Sequence, residues 1–386
     1  MRDTKQSNSA ISFFCMATIV CTVLTQVPAF SSIFRPIMYA LWILTLCVGV
    51  MNNKFRIPFN RFLVLYGIAL MMLGAECLIL FNTHSNSYAL QIVPLPFLCY
   101  LVGLLYAKVM GDKTIFNCLC TFFLVSLLMF SYIFVTYIGS FSTWLNADYY
   151  IYEQKNSAAQ IIGCTIILTV FLIKPQQRWI NISKYVSLTI LFLFIVTMQC
   201  RTALVGLIIT ALVYYFTILH GRKKLAVTVI LCVALIIVFN NDVLTKYITK
   251  AFVFNERQTK SLDYLTSGRL TFFREALQVF EEHPLVGSGH YRVDDLYLCI
   301  LSDVGLIGFI PIIILLITRI VKNISAYKRY KTPFTSCVLC LTVFYFCESL
   351  FEAYPPFGPG VCAFMFWIVC AFLDARGEHQ WKETEA

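Results

Sequence analysis

In this chain of 386 residues, 59% of the side chains are apolar and only 13% are charged, which excludes an ordinary soluble domain. The net charge of +10 would suggest nucleic acid or an anionic surface in a soluble protein; in a polytopic membrane protein, loop orientation accounts for most of it. The 16 cysteines fall almost entirely inside apolar segments, and Cys118-x-Cys120 and Cys337-x-x-Cys340 lack His or acidic company, so neither a disulfide scaffold nor a metal site is expected.

From the N-terminus onward, apolar runs of membrane-spanning length alternate with short polar loops. Spans are expected near 10–30, 33–51, 63–81, 89–107, 114–138, 157–173, 185–200, 202–219, 225–240, 296–318, 333–351 and 360–373. The expected fold is all-α and polytopic, about twelve transmembrane helices in a single integral membrane domain over 1–386. The first run has a basic lead but no small-x-small cleavage site, so it reads as a retained span rather than a removed signal peptide.

Lys and Arg set the orientation. One set of loops carries Arg2, Lys5, Lys54, Arg56, Arg61, Lys108, Lys113, Lys174, Arg178, Lys184, Arg222, Lys223, Lys224, Arg319, Lys322, Lys328, Arg329, Lys331, Arg376 and Lys382, which is 20 of the 30 basic residues. The opposite short loops and span ends hold only Arg35, Lys155 and Arg201. The positive-inside rule then places both termini in the cytoplasm.

Two outside loops remain. The smaller, 140–156 (SFSTWLNADYYIYEQKN), is rich in Tyr, Trp, Asn and Asp, a composition that suits sugar rings and equally an interfacial aromatic belt. The larger, 240–295, carries seven basic and eight acidic residues, a near balance that does not describe a nucleic-acid patch. It suits a site in which cations hold a phosphate and carboxylates move protons.

The stretch Thr266–Phe309 organises the chain: TSGRLTFFREALQVFEEHPLVGSGHYRVDDLYLCILSDVGLIGF. Ser267 is placed as a helix N-cap; Leu270, Phe273, Leu277 and Phe280 follow at helical spacing, and His283-Pro284 stops the run. Arg269 projects within that apolar arc and Arg274 lies on its flank, an amphipathic helix suited to a membrane surface where a phosphate could meet it. Gly287-Ser288-Gly289 reads as a flexible turn, and from about Leu296 the chain re-enters lipid.

Further charges stand at the outer edge of the spans. Arg201 ends one span or begins the next, where an anionic partner competes with snorkelling to headgroups as its reason for being there. Glu348 and Glu352 come where the eleventh span reaches the outside, either solvated or facing the same cavity. Glu76 and Asp303 lie inside spans, where function and helix–helix hydrogen bonding are both open.

The stretch 266–309 resembles the signature region of bacterial O-antigen polymerases and O-antigen ligases (Wzy and WaaL type), with their S/T-G-R, helix, H-P-L-x-G-x-G, paired polar residues before Y-L, and G-L-I-G. Lys155-Asn156 with Ala158-Ala159, Cys200-Arg201-Thr202-Ala203, and Glu348 to Glu352 followed by Phe357-Gly358-Pro359-Gly360 resemble that family's other motifs, in the same order. The likeness runs from about residue 150 to the end.

This resemblance implies a metal-independent glycosyltransferase without cofactor, related in fold to lipid-dependent glycosyltransferases, at the outer face of the bacterial inner membrane. Its donor would be a glycan on undecaprenyl diphosphate, its acceptor another lipid-linked repeat unit (polymerase) or the lipopolysaccharide core (ligase). A separate chain-length regulator is an implied partner. Arg201 and Arg269 are the candidates to grip the diphosphate, assisted by Arg274 or Arg292, because the guanidinium fork binds phosphate through paired hydrogen bonds. Asp294 or Asp295 is the candidate base for the acceptor hydroxyl, with His290 and Glu352 behind them and Asn156 and Tyr297 as substrate-binding candidates. The chain departs from ligases at Asp294-Asp295, where they carry His-Asn, and Asp at the first position fits polymerases. A flippase-like transporter would suit twelve spans, but the halves show no similarity and no paired interrupted segments.

Overall fold

The computed structural model describes residues 2–51, 61–80, 94–137, 155–198, 200–242, 245, 268–289, 293–353, 355–356 and 363–383. Among them the regular structure is helical: α1 (Arg2–Leu24), α2 (Pro28–Met51), α3 (Arg61–Leu80), α4 (Pro94–Val109), α5 (Asp112–Tyr137), α6 (Lys155–Leu172), α7 (Arg178–Thr197), α8 (Arg201–Val213, continued by a π-helical turn Tyr214–Ile218), α9 (Gly221–Phe239), α10 (Arg269–Glu282), α11 (Leu296–Tyr330), α12 (Pro333–Ser349) and α13 (Phe364–Glu383).

Each of the twelve expected spans overlaps a helix among the described residues, although the 10–30 run breaks at 25–27 between α1 and α2, and α10 is the helix expected in the large loop. Among the described residues, six helical segments are long and apolar enough to cross a membrane: Ala29–Met51, Lys113–Thr136, Lys155–Leu172, Arg178–Thr197, Arg201–Ile218 and Leu296–Tyr330. Shorter apolar helices are Ile11–Leu24, Arg61–Ala75, Pro94–Val109, Pro333–Ser349 and Phe364–Ala375. The side chain of Glu76, residues 246–267 of the large loop and 140–154 of the smaller lie outside the described residues.

α12 packs against α6, α8 and α11, and α13 packs against α4. Glycines let backbones approach: a Cβ at Gly103 of α4 would stand 2.8 Å from the Ile368 Cα on α13, and those at Gly163 (α6) and Gly206 (α8) would strike the Phe344 ring of α12. Phe344 thereby keys α6, α8 and α12 together, and it sits one helical turn below Glu348. At the other end of the bundle, Arg319 is fully buried and donates to Asp374 at 2.8 Å and to Asn323 at 2.9 Å, while Tyr100 and Lys322 also reach Asp374. Arg319 is therefore a core residue and not the loop cation expected from sequence: α11 runs on to Tyr330 and carries it inside, where Asp374 compensates the charge.

The G-S-G turn departs from expectation as well. Gly287 and Gly289 are buried with positive φ, and the segment is pinned to α11 by Ser288 N–H to Ser302 O and Gly289 N–H to Asp303 O, both 2.9 Å. Two further bonds, Leu306 N–H to Pro284 O and Ile307 N–H to Leu285 O, are possible because α11 breaks at Gly305 (φ 57, ψ −165). The break frees backbone donors that a continuous helix would consume, and the His283–Gly289 loop uses them. A Cβ at Gly305 would come within 2.5 Å of the Leu285 backbone, and one at Gly287 would collide with the Asp303 carbonyl. Gly305→Ala should therefore destabilise the purified protein by at least about 2 kcal/mol in thermal or denaturant unfolding. Gly67→Ala, where an added Cβ meets nothing within 4 Å, should be neutral or mildly stabilising.

Candidate functional site

Four helices begin at one end of the bundle: α6 at Lys155, α8 at Arg201, α10 at Arg269 and α11 at Leu296; α12 ends among them at Ser349. Helix starts present unpaired N–H groups and the positive end of the macrodipole, so their convergence favours an anion. Three cations (Lys155, Arg201, Arg269) and four carboxylates (Asp294, Asp295, Glu348, Glu352) stand on these ends.

Arg269 is held at the centre. Its Nη2 lies 3.7 Å from Glu352 Oε1 and 4.0 Å from Asp294 Oδ2, and its guanidinium sits over the Phe351 ring at 5.9 Å. The orientation of α10 makes this possible, and it differs from the arc expected from sequence. Arg269, Phe273, Ala276 and Phe280 form the stripe directed at the protein, with Ala276 buried and Phe273 packed on the core. Leu270 and Leu277 are exposed. The helix is left-handed at its N-cap, Gly268 (φ 81), with no side-chain cap; the expected cap, Ser267, lies outside the described residues. Arg274 is exposed.

Glu352 is the most constrained acid. Its Oε1 accepts a hydrogen bond from Asn156 Nδ2 at 2.8 Å, and Arg269 and Lys155 are its cationic neighbours. Burial, reinforced by the nearby Asp294 charge, outweighs those attractions and pushes its carboxyl up to about 7. Asn156, a substrate-binding candidate, is thereby tied to Glu352. Tyr297 bonds Ser349 Oγ at 3.0 Å and ties the start of α11 to the end of α12.

The two aspartates take different parts. Asp295 is the N-cap of α11: its Oδ1 accepts the Leu298 N–H at 2.8 Å. Its carboxyl is raised by burial, against the lowering effect of the Leu298 and Tyr297 N–H groups and Arg269. Asp294 projects outward with its side chain 65% exposed. Asp295→Ala should cost about 1 kcal/mol of stability, with Asp295→Asn retaining most of it because an amide oxygen also caps, as thermal unfolding would record.

Arg201 joins the same end. It is the first residue of α8, next to Cys200, whose Sγ lies 3.4 Å from the Lys155 carbonyl oxygen, and Lys155 feels the charges of Arg201 and Glu352. Arg201 is linked to Arg269 through a chain of neighbours, Lys155 and then Glu352. His290 and Arg292 lie outside the described residues.

Sequence reasoning left Glu348, Gln160 and Thr202 out of the candidate site. Glu348 is fully buried one turn beneath Glu352, with Gln160 and Thr202 as polar neighbours from α6 and α8. Both Glu348 oxygens, Gln160 Oε1 and Thr202 Oγ1 are buried without a hydrogen-bond partner among the described residues. The signal available was proximity in sequence: Glu348 lies four residues before Glu352, in the last turn of α12.

A comparison of the chain with curated proteins finds no match. Residues 186–313, from α7 through the first part of α11 and so including Arg201, Arg269, Asp294 and Asp295, match the O-antigen ligase family model (Wzy_C), which is consistent with the O-antigen polymerase and ligase family.

Proposed function

We propose that this protein is a polysaccharide polymerase that moves a growing glycan from undecaprenyl diphosphate onto the non-reducing end of a lipid-linked repeat unit. The observation that carries this reading is the Arg269–Glu352 pair standing among the N-termini of α6, α8, α10 and α11. The leaving group is a diphosphate, so negative charge grows on phosphate oxygens as the glycosidic bond breaks. Arg269 and Arg201 neutralise that charge, aided by four helix dipoles.

The acceptor hydroxyl attacks the anomeric carbon. The new C–O bond forms as the bond to the diphosphate oxygen breaks, and the diphosphate leaves with the electron pair. Glu352 takes the hydroxyl proton: a carboxylate that titrates near 7 is ionised often enough to act as base and basic enough to hold a proton. Asp295 is engaged as a helix cap and Asp294 is a solvated counter-charge to Arg269, so both are weaker candidates. Because the opposite helix ends carry Lys174, Lys328, Arg329 and Lys331, the positive-inside rule turns the site toward the periplasm and both termini toward the cytoplasm of an inner-membrane protein. A chain-length regulator would act as a separate partner.

Ligation to lipopolysaccharide core is the second reading, favoured by the name of the matching family model; the Asp294-Asp295 pair in place of His-Asn favours polymerisation. Electrophoresis of surface glycan from a deletion strain decides between them. A single repeat unit on the core is the expected polymerase phenotype. Bare core with polymer still made would establish the ligase, and lipid-linked units trapped in the cytoplasm would replace both readings with a flippase.

A further inference from the structure

At the lysine-rich end of the bundle lies a second feature that glycosyl transfer does not use. A cavity of about 350 Å³, within the size range of ligand sites, opens between α1, α4, α5, α6, α12 and α13. Ile19, Tyr106, Phe116, Phe171, Phe334 and Phe372 represent those six helices in its wall, and the lining is overwhelmingly apolar. Tyr106 is buried, and its hydroxyl has no hydrogen-bond partner among the described residues. Lys174 lines the cavity and is exposed. Lys331, exposed, precedes the lining residues Thr332 and Pro333, and Lys113, also exposed, comes two residues before the lining Ile115. The segments that carry the lining residues at this end, 110–116, 171–174 and 331–334, thus hold three lysines against one acid, Asp112.

We infer that this cavity is a binding site for one anionic phospholipid, with an acyl chain among the aromatic side chains and the phosphate held by Lys174, Lys331 and Lys113. The chemistry selects the occupant. An apolar wall cannot satisfy the hydroxyls of a sugar or nucleotide, and a rim of three lysines prefers a net-negative headgroup to a zwitterionic one. The head of a polyprenyl-diphosphate donor belongs at the other end of α6, roughly 27 Å away by the helical rise over its 18 residues. The ligand holds together helices that contribute nothing to the carboxylate site (α1, α4, α5) and two that do (α6, α12). It therefore acts as a gasket between the two halves, independently of the reaction proposed above.

The test uses the delipidated full-length protein, native mass spectrometry, and phosphatidylglycerol or phosphatidylethanolamine with identical acyl chains. One bound phosphatidylglycerol, retained at least ~5-fold over phosphatidylethanolamine, is expected from the headgroup charge at the lysines. Lys174→Glu combined with Lys331→Glu should remove that preference. Met110→Trp, which fills the cavity while leaving the lysines intact, should remove binding itself; Leu119→Phe serves if the tryptophan variant loses its helical circular dichroism. Phosphatidylglycerol should also raise the melting temperature of the wild type and not of the charge-reversed variant. Equal retention of the two lipids by the wild type, unchanged retention by every variant, or displacement of phosphatidylglycerol by equimolar undecaprenyl phosphate would each overturn the inference.

Discussion

Arg269→Ala is expected to abolish detectable glycan polymer in a complemented deletion strain while the protein still inserts and is recovered in normal amount. The magnitude follows from what the side chain does. Deleting one fixed donor to a charge that develops in a transition state costs roughly 10²–10³-fold in rate, and polymerisation multiplies that loss over every added unit. Arg269 is placed for this by three contacts, Glu352, Asp294 and the Phe351 face, which hold the guanidinium without consuming all five of its N–H donors. Lysine preserves the charge but not the fork, so Arg269→Lys should recover only part of the activity. Arg201→Ala should fall in the same class, because Arg201 stands at the start of α8 within electrostatic range of Lys155, itself a neighbour of Glu352. Arg178→Ala, at the start of α7 on the opposite end of the bundle, should leave polymer length unchanged. Normal polymer from both Arg201→Ala and Arg269→Ala would remove the diphosphate site from this end of the protein.

The helices were legible in the sequence because hydropathy reports burial in lipid directly, and every expected span overlaps a helix. What hydropathy cannot report is which side of a helix meets protein rather than lipid. In α10 the apolar residues divide between two faces: Leu270, Phe272 and Leu277 are exposed, while Phe273, Ala276 and Phe280 share the inward stripe with Arg269. For a helix at a membrane surface both faces have reasons to be apolar, so a wheel drawn from sequence locates Arg269 without saying what it touches. The break at Gly305 was hidden for a related reason: glycine barely alters a hydropathy run, and its role appears only when Pro284 and Leu285 supply carbonyls to the freed N–H groups.

The candidate residues divide along the same line. Arg201 and Glu352 were found as charges at a span edge, where burial is costly, and Arg269 from its place in the amphipathic helix of the 266–309 stretch. Asp295 was assigned chemistry from its position in the motif, yet the same position is the N-cap of α11, and its carboxylate is spent on the Leu298 N–H. In sequence, Glu348 reads with Glu352 as either solvated or facing the same cavity, with no role of its own. Only packing reveals that it is fully buried beside Gln160 and Thr202 and within reach of the Glu352 charge.

Glu352 supplies a prediction with two opposite signs. Its carboxyl is raised from 4.5 to about 7, by burial first and Asp294 second. A base must be ionised, so the rate of glycan transfer should fall as pH drops through about 7, and Glu352→Gln should lose both the activity (~10²–10⁴-fold) and that acid limb. Stability runs the other way. A carboxyl raised in the folded state binds its proton more tightly there than in the unfolded chain, so its contribution is complete below the unfolded value and is lost as pH climbs through about 7. Above that pH the wild type bears the cost of a buried carboxylate, on the order of 3 kcal/mol for a shift of this size, discounted by whatever Arg269 and Asn156 return elsewhere. Glu352→Gln escapes the cost, since an amide accepts the Asn156 hydrogen bond without carrying charge. The variant should therefore melt higher than the wild type at pH 8 and no higher at pH 5, while being inactive at both. A Glu352→Gln protein that stays active with an unchanged pH profile would move the base to Asp294. One that is inactive and also less stable at pH 8 would reduce Glu352 to a structural partner of Arg269.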